Sequence, residues 1–242
     1  IPLFYKGVPF VAVSKSTKDE LVGLGLRPQD IEIAHNGVNH DLYAPDESKR
    51  AKTPLIACVT RLKKYKGVHL LLQAMKLVRE EIPGARLIIV GTGDYAPQLK
   101  KLTHRLNLAD CVEFTGLLTA EEMADVYRSA HVVVNPSLKE GWGLTVIEAN
   151  ACGTPVVAAA APGLVDSVLD GQTGYLYPHS DTKKMAERIV LLLKDEKTRR
   201  SFGRRSLRWA QEFSWENSAT AIETVIERVV ANGHSGNGKL NK

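Results

Sequence analysis

The sequence has few cysteines and no long hydrophobic run, and each shortage excludes a class of protein. Its three cysteines, Cys58, Cys111 and Cys152, lie far apart in a chain of 242 residues, which excludes a disulfide framework and indicates a reducing compartment. No apolar run approaches the roughly 18 residues that a membrane-spanning helix needs. The first residues, Ile1–Gly7, lack the basic and hydrophobic pattern of a signal peptide. We therefore predict a cytoplasmic protein.

Metal-binding and nucleic-acid-binding patterns are also missing. The seven histidines show no metal-ligand spacing with cysteines or carboxylates, so no metal site is predicted. Lys and Arg number 32 against 27 Asp and Glu, which gives a formal net charge of +5. No aromatic platform or recognition motif accompanies this charge, and we therefore predict no nucleic-acid partner.

What the sequence does contain is a regular alternation of short apolar runs and amphipathic stretches. The runs Leu87–Val90 and Val132–Val134 are continuously apolar, which is typical of strands buried on both faces of a parallel sheet. Between such runs, Val68–Glu81 has apolar residues at helical spacing. The alternation predicts an α/β fold with a doubly wound parallel sheet.

The same pattern divides the chain into four parts. Residues 1–38 predict a βαβ unit, and a charged, proline-containing linker leads from it into a complete α/β domain over residues 39–213. Residues 214–231 predict a helix whose apolar face needs a partner. Residues 232–242 are polar and rich in Gly and Asn, which predicts a disordered tail.

A basic loop follows the strand predicted at Leu55–Val59. It carries four cations, from Arg61 to Lys66, and then Gly67 at the start of a helix. Ligands of open α/β sheets bind beyond the carboxyl ends of the strands, and cations beside the N–H groups of a helix start suit a phosphate. The alternative is a solvated surface loop.

A glycine-rich segment with two glutamates follows the strand predicted at His131–Asn135. Gly141 and Gly143 permit a close approach of the backbone to a ligand, and the helix expected from Gly143 directs its free N–H groups to the same place. Glu140 precedes this helix and Glu148 lies within it. Ionised carboxylates accept hydrogen bonds from neighbouring sugar hydroxyls. The alternatives are a helix cap for Glu140 and a core ion pair for Glu148.

The two segments complement each other. Cations and a glycine-rich helix start at adjacent strand ends suit a diphosphate, and the flanking carboxylates suit a sugar on either side of it. This combination indicates a nucleotide-sugar site.

The second segment resembles the donor-binding signature of glycosyltransferase family 4, the retaining enzymes of the GT-B fold also known as glycosyl transferases group 1. The hallmark is a glutamate, seven further residues and a second glutamate, here Glu140 and Glu148. The resemblance covers residues 8–230, with shorter matches in the expected order at Asn36–Val38, Arg61, Lys66-Gly67, Val90–Gly93, Phe114–Gly116, Ala151–Ala158, Pro162–Leu164 and Gly171–Leu176.

The resemblance implies a Rossmann-like C-terminal half of a GT-B fold that binds a nucleotide-sugar, with GDP-mannose, UDP-glucose and other linked hexoses all open. It implies that Arg61, Lys66 and Glu140 are catalytic: the first two would hold the diphosphate and stabilise the leaving nucleotide, and Glu140 would address the transferred sugar. Glu148 would bind the ribose hydroxyls. The remaining implied contacts are Gly141 and Trp142 beside the sugar, Gly143, Leu144 and Thr145 at the diphosphate, and Thr115, Gly116 and Leu117 at the base.

The resemblance also implies chemistry without a cofactor or metal. The sequence contains no Asp-x-Asp, the metal-diphosphate motif of the other major glycosyltransferase fold, and a preorganised Arg–Lys pair can stabilise the separating charges. Residues 1–38 would be the last βαβ unit of an N-terminal domain. That domain would bind a carbohydrate or lipid-linked acceptor, as in polysaccharide biosynthesis, and residues 214–231 would be the crossover helix.

Two further interpretations remain open. The chain could be a truncated or stand-alone nucleotide-sugar-binding module without transferase activity. A dehydrogenase-type dinucleotide site is less favoured, because Gly91-Thr92-Gly93 lacks the rest of the GxGxxG pattern.

A row of arginines near the C-terminus has two interpretations. Arg200, Arg204 and Arg208 recur every four residues and could lie against anionic headgroups at the inner face of a membrane. The alternative is a solvated helix face that is balanced by Asp195, Glu196 and Glu212.

Overall fold

The computed structural model describes Tyr5 and residues 7–236, with side chains up to Ala231. The strands are β1 (Phe10–Ala12), β2 (Ile31–Ile33), β3 (Leu55–Val59), β4 (Arg86–Val90), β5 (Val112–Gly116), β6 (Val132–Asn135), β7 (Val156–Ala159) and β8 (Gly174–Tyr177). The helices are α1 (Lys15–Gly23), α2 (Val68–Glu81), α3 (Ala96–Arg105), α4 (Ala120–Ser129), α5 (Leu144–Ala151), α6 (Leu164–Ser167), α7 (Thr182–Lys194), α8 (Glu196–Ala210) and α9 (Trp215–Gly236).

Six of these strands form one parallel sheet in the order β5-β4-β3-β6-β7-β8. Counted within this sheet alone, the order is 3-2-1-4-5-6, which is the Rossmann arrangement. The direction of strand addition reverses between β3 and β6. The predicted α/β fold with a doubly wound parallel sheet is therefore confirmed, and the reversal marks where such folds bind ligands.

The middle of this sheet is buried because its strands are apolar on both faces. Every residue of β3, β6 and β7 is buried. Helix α2 buries Val68, Leu71, Leu72, Met75 and Val78 on one stripe and packs against α7, while α5 packs against α8. The predicted limits of β3 and α2 are confirmed to the residue, since a long periodic stretch leaves little choice of register.

The N-terminal part forms a separate small unit. Strands β1 and β2 pair in parallel as their own sheet, and Ala12, Leu26 and Ile31 form its core. Helix α9 contacts this unit through the ion pair between Arg228 and Glu32, with a nitrogen–oxygen distance of 2.8 Å. The last helix thus bridges back to the beginning of the chain.

Helix α9 is longer than the sequence predicts. It extends to Gly236, five residues into the segment for which the sequence predicts a disordered tail. Adding turns to an existing helix costs far less than starting one, which lets weak helix formers continue it. The rest of the predicted tail, residues 237–242, lies outside the described residues.

Most of the apolar face of α9 is exposed, although Val225 within it is buried. Ile222, Ile226 and Val229 are each at least 40% exposed, in line with the prediction of a face that needs a partner. No helix in the described part of the chain is long and apolar enough to cross a membrane.

Candidate functional site

The loops after β3 and β6 touch at the carboxyl edge of the sheet, where the strand order reverses. Gly67 has a φ of +70°, and a β-carbon placed on it would lie 2.1 Å from the carbonyl oxygen of Pro136. The N–H of Leu138 donates to the carbonyl of Tyr65 at 2.9 Å. Only glycine permits this approach, which brings the two predicted ligand-binding segments together.

Between these loops, Lys66 and Glu140 form an ion pair. The ammonium of Lys66 lies 2.6 Å from both carboxylate oxygens of Glu140, and the side chains are 8% and 17% exposed. The Ser137 hydroxyl donates to Oε1 of Glu140 at 2.7 Å. Because desolvation offsets much of the attraction, such a pair contributes little to stability. Its place at the switch point instead indicates a binding site.

The other cations of the basic loop have different surroundings. Lys63 lies 2.9 Å from the carboxylate of Asp94 and is partly neutralised. Arg61 is exposed and donates to the hydroxyl of Tyr65 at 3.1 Å, and no ion pair within the described residues includes it. Its guanidinium is therefore in a position to pair with a bound anion. The alternative of a solvated loop is wrong for Lys66, which is buried.

The glycine-rich segment ends in the uncapped N-terminus of α5. Gly143, with a φ of +84°, is the residue before the helix, and no side chain caps it. Leu144 and Thr145 form the first turn, so their N–H groups lack intrahelical acceptors and carry the positive end of the helix dipole. The structure thus places cations and helix N–H groups at neighbouring strand ends.

Glu148 lies one turn into the same helix and is 8% exposed. Its carboxylate is surrounded by uncharged hydroxyl groups. The hydroxyl of Tyr127 donates to Oε2 of Glu148 at 2.8 Å, and the side chain of Tyr43 lies near the same carboxylate. Burial raises the pKa of Glu148 to about 7, although the hydrogen bonds from the two tyrosines oppose this shift. The alternative of a core ion pair is wrong, since Glu148 takes part in none of the ion pairs in the described part of the chain.

The side chain of Trp142 packs inside the protein. It is 3% exposed, stacks on His35 with ring centres 4.1 Å apart, and meets Phe213 edge-on at 4.9 Å. Next to it, the carbonyl of Gly141 accepts a hydrogen bond of 2.6 Å from the hydroxyl of Ser14. The glycine-rich segment is therefore anchored to the N-terminal unit.

The residues predicted to border the base lie at the end of β5. The N–H of Gly91, after β4, donates to the carbonyl of Gly116 at 2.8 Å, so the two strand ends are adjacent. Thr115 donates its hydroxyl proton to the same carbonyl at 3.2 Å. Leu117 is 77% exposed. Among the described residues, no three side chains of the metal-ligating types converge.

Sequence reasoning missed several partners of the site. Ser137 precedes Glu140 by three residues, a spacing that could have suggested the contact. Tyr43 lies in the linker and Tyr127 on α4, and no local pattern connects either with Glu148. Only the tertiary structure brings them together.

Comparison with known proteins identifies the family. The family model for glycosyl transferases group 1 matches residues 40–209. The chain belongs to the glycosyl transferases group 1. This family member is 37% identical over 232 residues to the D-inositol 3-phosphate glycosyltransferase of Mycobacteroides abscessus, covering 90% of this chain and 51% of that protein. The corresponding protein of Corynebacterium aurimucosum is 32% identical over 232 residues, with 89% and 55% covered.

Solved structures share the fold of this group 1 member. Sucrose-phosphate synthase from Thermosynechococcus elongatus is 30% identical with a TM-score of 0.84, covering 92% of this chain and 58% of that chain. HepE of Anabaena is 24% identical with a TM-score of 0.81, covering 91% and 63%. The α/β structure thus has the Rossmann-like fold found in GT-B glycosyltransferases, and the chain spans about half the length of the curated relatives.

Replacing Gly67 should separate backbone strain from a general effect of added volume. We expect Gly67→Ala to lower the free energy of unfolding by about 2 kcal/mol or more, because the left-handed conformation alone costs an L-residue about 1–2 kcal/mol and Pro136 blocks the β-carbon. Gly84→Ala is the control, since nothing lies within 4 Å of its β-carbon. Urea unfolding measures both, and equal losses would contradict the proposed contact.

The raised pKa of Glu148 predicts a pH-dependent stability. The unfolded state loses the Glu148 proton near the ordinary pKa of 4.5 and the folded state near 7, so the free energy of unfolding falls as pH rises between these values. Glu148→Gln cannot titrate there. As the pH rises from 4.5 to 7.5, we expect the free energy of unfolding of this variant to increase by on the order of 3 kcal/mol relative to that of the wild type. Urea unfolding measures this difference.

The control for this titration is Glu80→Gln, which removes an exposed carboxylate from α2. Its stability should run parallel to that of the wild type over the same range. A Glu148→Gln curve that is also parallel would show that Glu148 is ionised throughout.

Proposed function

We propose that this chain is the donor-binding half of a retaining, metal-independent glycosyltransferase that uses a UDP- or GDP-linked hexose. The observation that carries the proposal is the buried pair of Lys66 and Glu140 at the switch point, in the same region as the exposed guanidinium of Arg61 and the uncapped start of α5. Few other ligands need cations, helix N–H groups and an oriented carboxylate at one place.

The cationic side of this site would hold the diphosphate. As the glycosidic bond breaks, negative charge grows on the leaving nucleotide, and Arg61, Lys66 and the N–H groups of Leu144 and Thr145 would stabilise it. These groups are already in position, so little reorganisation opposes the reaction. Each charge-assisted hydrogen bond contributes about 1.5–3 kcal/mol. Fixed cations of this kind can replace a metal ion, which supports metal-independent chemistry.

Glu140 would address the transferred sugar. Its carboxylate is held by Lys66 on one side and Ser137 on the other, which fixes its direction before the donor binds. Departure of the nucleotide and attack of the acceptor on the same face would then retain the anomeric configuration. Trp142 would support Glu140 from behind, since its ring is buried, and Gly141 would leave room for the sugar.

Glu148 would bind the ribose hydroxyls, and residues 115–117 would border the base. The hydroxyls donate to an ionised carboxylate more strongly than to a neutral one. Because burial raises the pKa of free Glu148 to about 7, we propose that nucleotide binding lowers this pKa and releases a proton at neutral pH. Binding should therefore weaken as the pH falls below 7.

Relatives support the donor class without deciding the sugar. The relatives named above are D-inositol 3-phosphate glycosyltransferases, and the Anabaena structure contains UDP-glucose. We further propose that residues 1–38 end an acceptor domain, that residues 39–213 bind the donor and that residues 214–231 cross back between them. The acceptor would be a carbohydrate or a lipid-linked sugar, reached in the cytoplasm or at the inner face of a membrane.

Calorimetric titration tests the proposal directly. We expect the purified chain to bind either UDP and UDP-glucose or GDP and GDP-mannose, without added metal. If the folded chain binds none of the four, the proposed function is wrong.

The two glutamates should differ in their effect on these ligands. Glu148→Gln should weaken the binding of the free nucleotide and of the nucleotide-sugar alike, by on the order of tenfold for the loss of one charge-assisted hydrogen bond. Glu140→Gln should leave the affinity for the free nucleotide unchanged and weaken only the binding of the nucleotide-sugar. Glu80→Gln on α2 is the matched control and should change neither. Identical losses for both ligands in Glu140→Gln would contradict its assignment to the sugar.

A further inference from the structure

A second pocket opens at the opposite edge of the six-stranded sheet, where β6 and β7 begin. We call it the back pocket. It has a volume of about 460 Å³ and lies between His131 and Pro155 at the strand starts, Arg50 in the linker, and Arg199 and Arg204 on α8. The strands between this edge and the donor site are four or five residues long, so about 15 Å separates the two sites. The volume exceeds the roughly 300 Å³ at which ligand pockets begin.

The lining of the back pocket is rich in guanidinium groups. Arg199, Arg200 and Arg204 lie on one side of α8, and Arg50 approaches from the linker. The acidic residues of the lining are Glu47 and Glu196, so positive charge is in excess.

Arg199 and Arg50 are each held in place through one nitrogen of their guanidinium group. Nη1 of Arg199 donates to the carbonyls of Leu192 and Leu193 at 2.8 and 3.1 Å, which belong to the last turn of α7. Nη1 of Arg50 donates to the hydroxyl of Thr154 at 3.2 Å and to the carbonyl of Ala130. Guanidinium groups that are anchored through one nitrogen are preorganised for an anion at their remaining nitrogens, although Nη2 of Arg50 also approaches Glu47.

The acidic side chains at the back pocket do not balance the charge of its arginines. Arg200 pairs with Glu196 at 2.7 Å and Arg50 approaches Glu47 at 3.6 Å, but these glutamates are 59% and 79% exposed. Exposed pairs of this kind are weak. Arg204 takes part in no ion pair with any described residue.

His131 also lines the back pocket. Its Nδ1 accepts a hydrogen bond of 3.1 Å from the N–H of Leu55, so the ring is neutral and carries its proton on Nε2. Burial, together with the charges of Arg199 and Arg50, lowers the pKa of His131 to about 4, against the opposing effect of Glu196 and Glu47.

We propose that the back pocket binds a phosphate-bearing anion through Arg50, Arg199 and Arg204. A phosphate group offers several charged oxygens to guanidinium forks arriving from different directions. The anion would be either a small phosphorylated molecule or a lipid phosphate headgroup. Arg208 does not line the pocket, so the regular row of arginines matters less than the convergence of α8 with the linker.

Calorimetry with pyrophosphate tests the site, and a donor-site variant keeps the two sites apart. In an Arg61→Gln background, we expect pyrophosphate to bind and the further change Arg204→Gln to weaken it on the order of tenfold. Arg205→Gln is the matched control, because it removes the same charge from the next residue of α8, outside the pocket lining. Equal losses in the two variants would overturn the proposal.

Two more measurements identify the source of the anion and verify the location. If a lipid headgroup is the ligand, the wild type and Arg205→Gln should float with vesicles of phosphatidic acid in phosphatidylcholine, and Arg204→Gln should not. Binding of pyrophosphate without binding of vesicles would favour a small molecule. In the Arg61→Gln background, the ring proton signals of His131 should shift with pyrophosphate. Binding of neither pyrophosphate nor vesicles by the folded protein overturns the site, whatever the result with nucleotides.

Discussion

The ion pair between Lys66 and Glu140 joins the two halves of the site. Each residue lies in a loop after a different strand, β3 and β6, and the sheet reverses its direction of growth between them. The pair can form only because Gly67 lets one loop rest on the carbonyl of Pro136. A buried pair costs desolvation energy, so its value lies in orientation: the ammonium and the carboxylate hold each other where a sugar diphosphate would need both.

Other features extend this arrangement outward. The uncapped start of α5 and the exposed guanidinium of Arg61 add positive charge on one side, while Glu148 lies deeper in the helix against two tyrosines. The carbonyl of Gly141 is bound by Ser14 of the N-terminal unit, and Trp142 stacks on His35. Movement of the N-terminal unit would therefore be transmitted to the glycine-rich segment. The back pocket lies at the other edge of the same sheet and is built from different elements.

Local sequence patterns predicted much of this structure. Continuous apolar runs at Leu87–Val90 and Val132–Val134 require burial on both faces, and a parallel sheet covered by helices satisfies that requirement. The placement of Arg61, Lys66 and Glu140 at carboxyl ends of strands followed from the same alternation. The last turns of α9 did not, because residues 232–236 are weak helix formers and carry no helical pattern of their own.

The sequence by itself determined the sheet, the strand ends and which charged residues stand at them, because these depend on the period of apolar residues. Only the tertiary structure decided which partner each charge takes. Lys66 meets Glu140 where the strand order reverses, Glu148 meets a tyrosine hydroxyl rather than a cation, and Arg50 from the linker lines the same pocket as Arg199 from α8. These contacts join residues tens of positions or more apart, and desolvation at each place selects the partner, which no local period encodes.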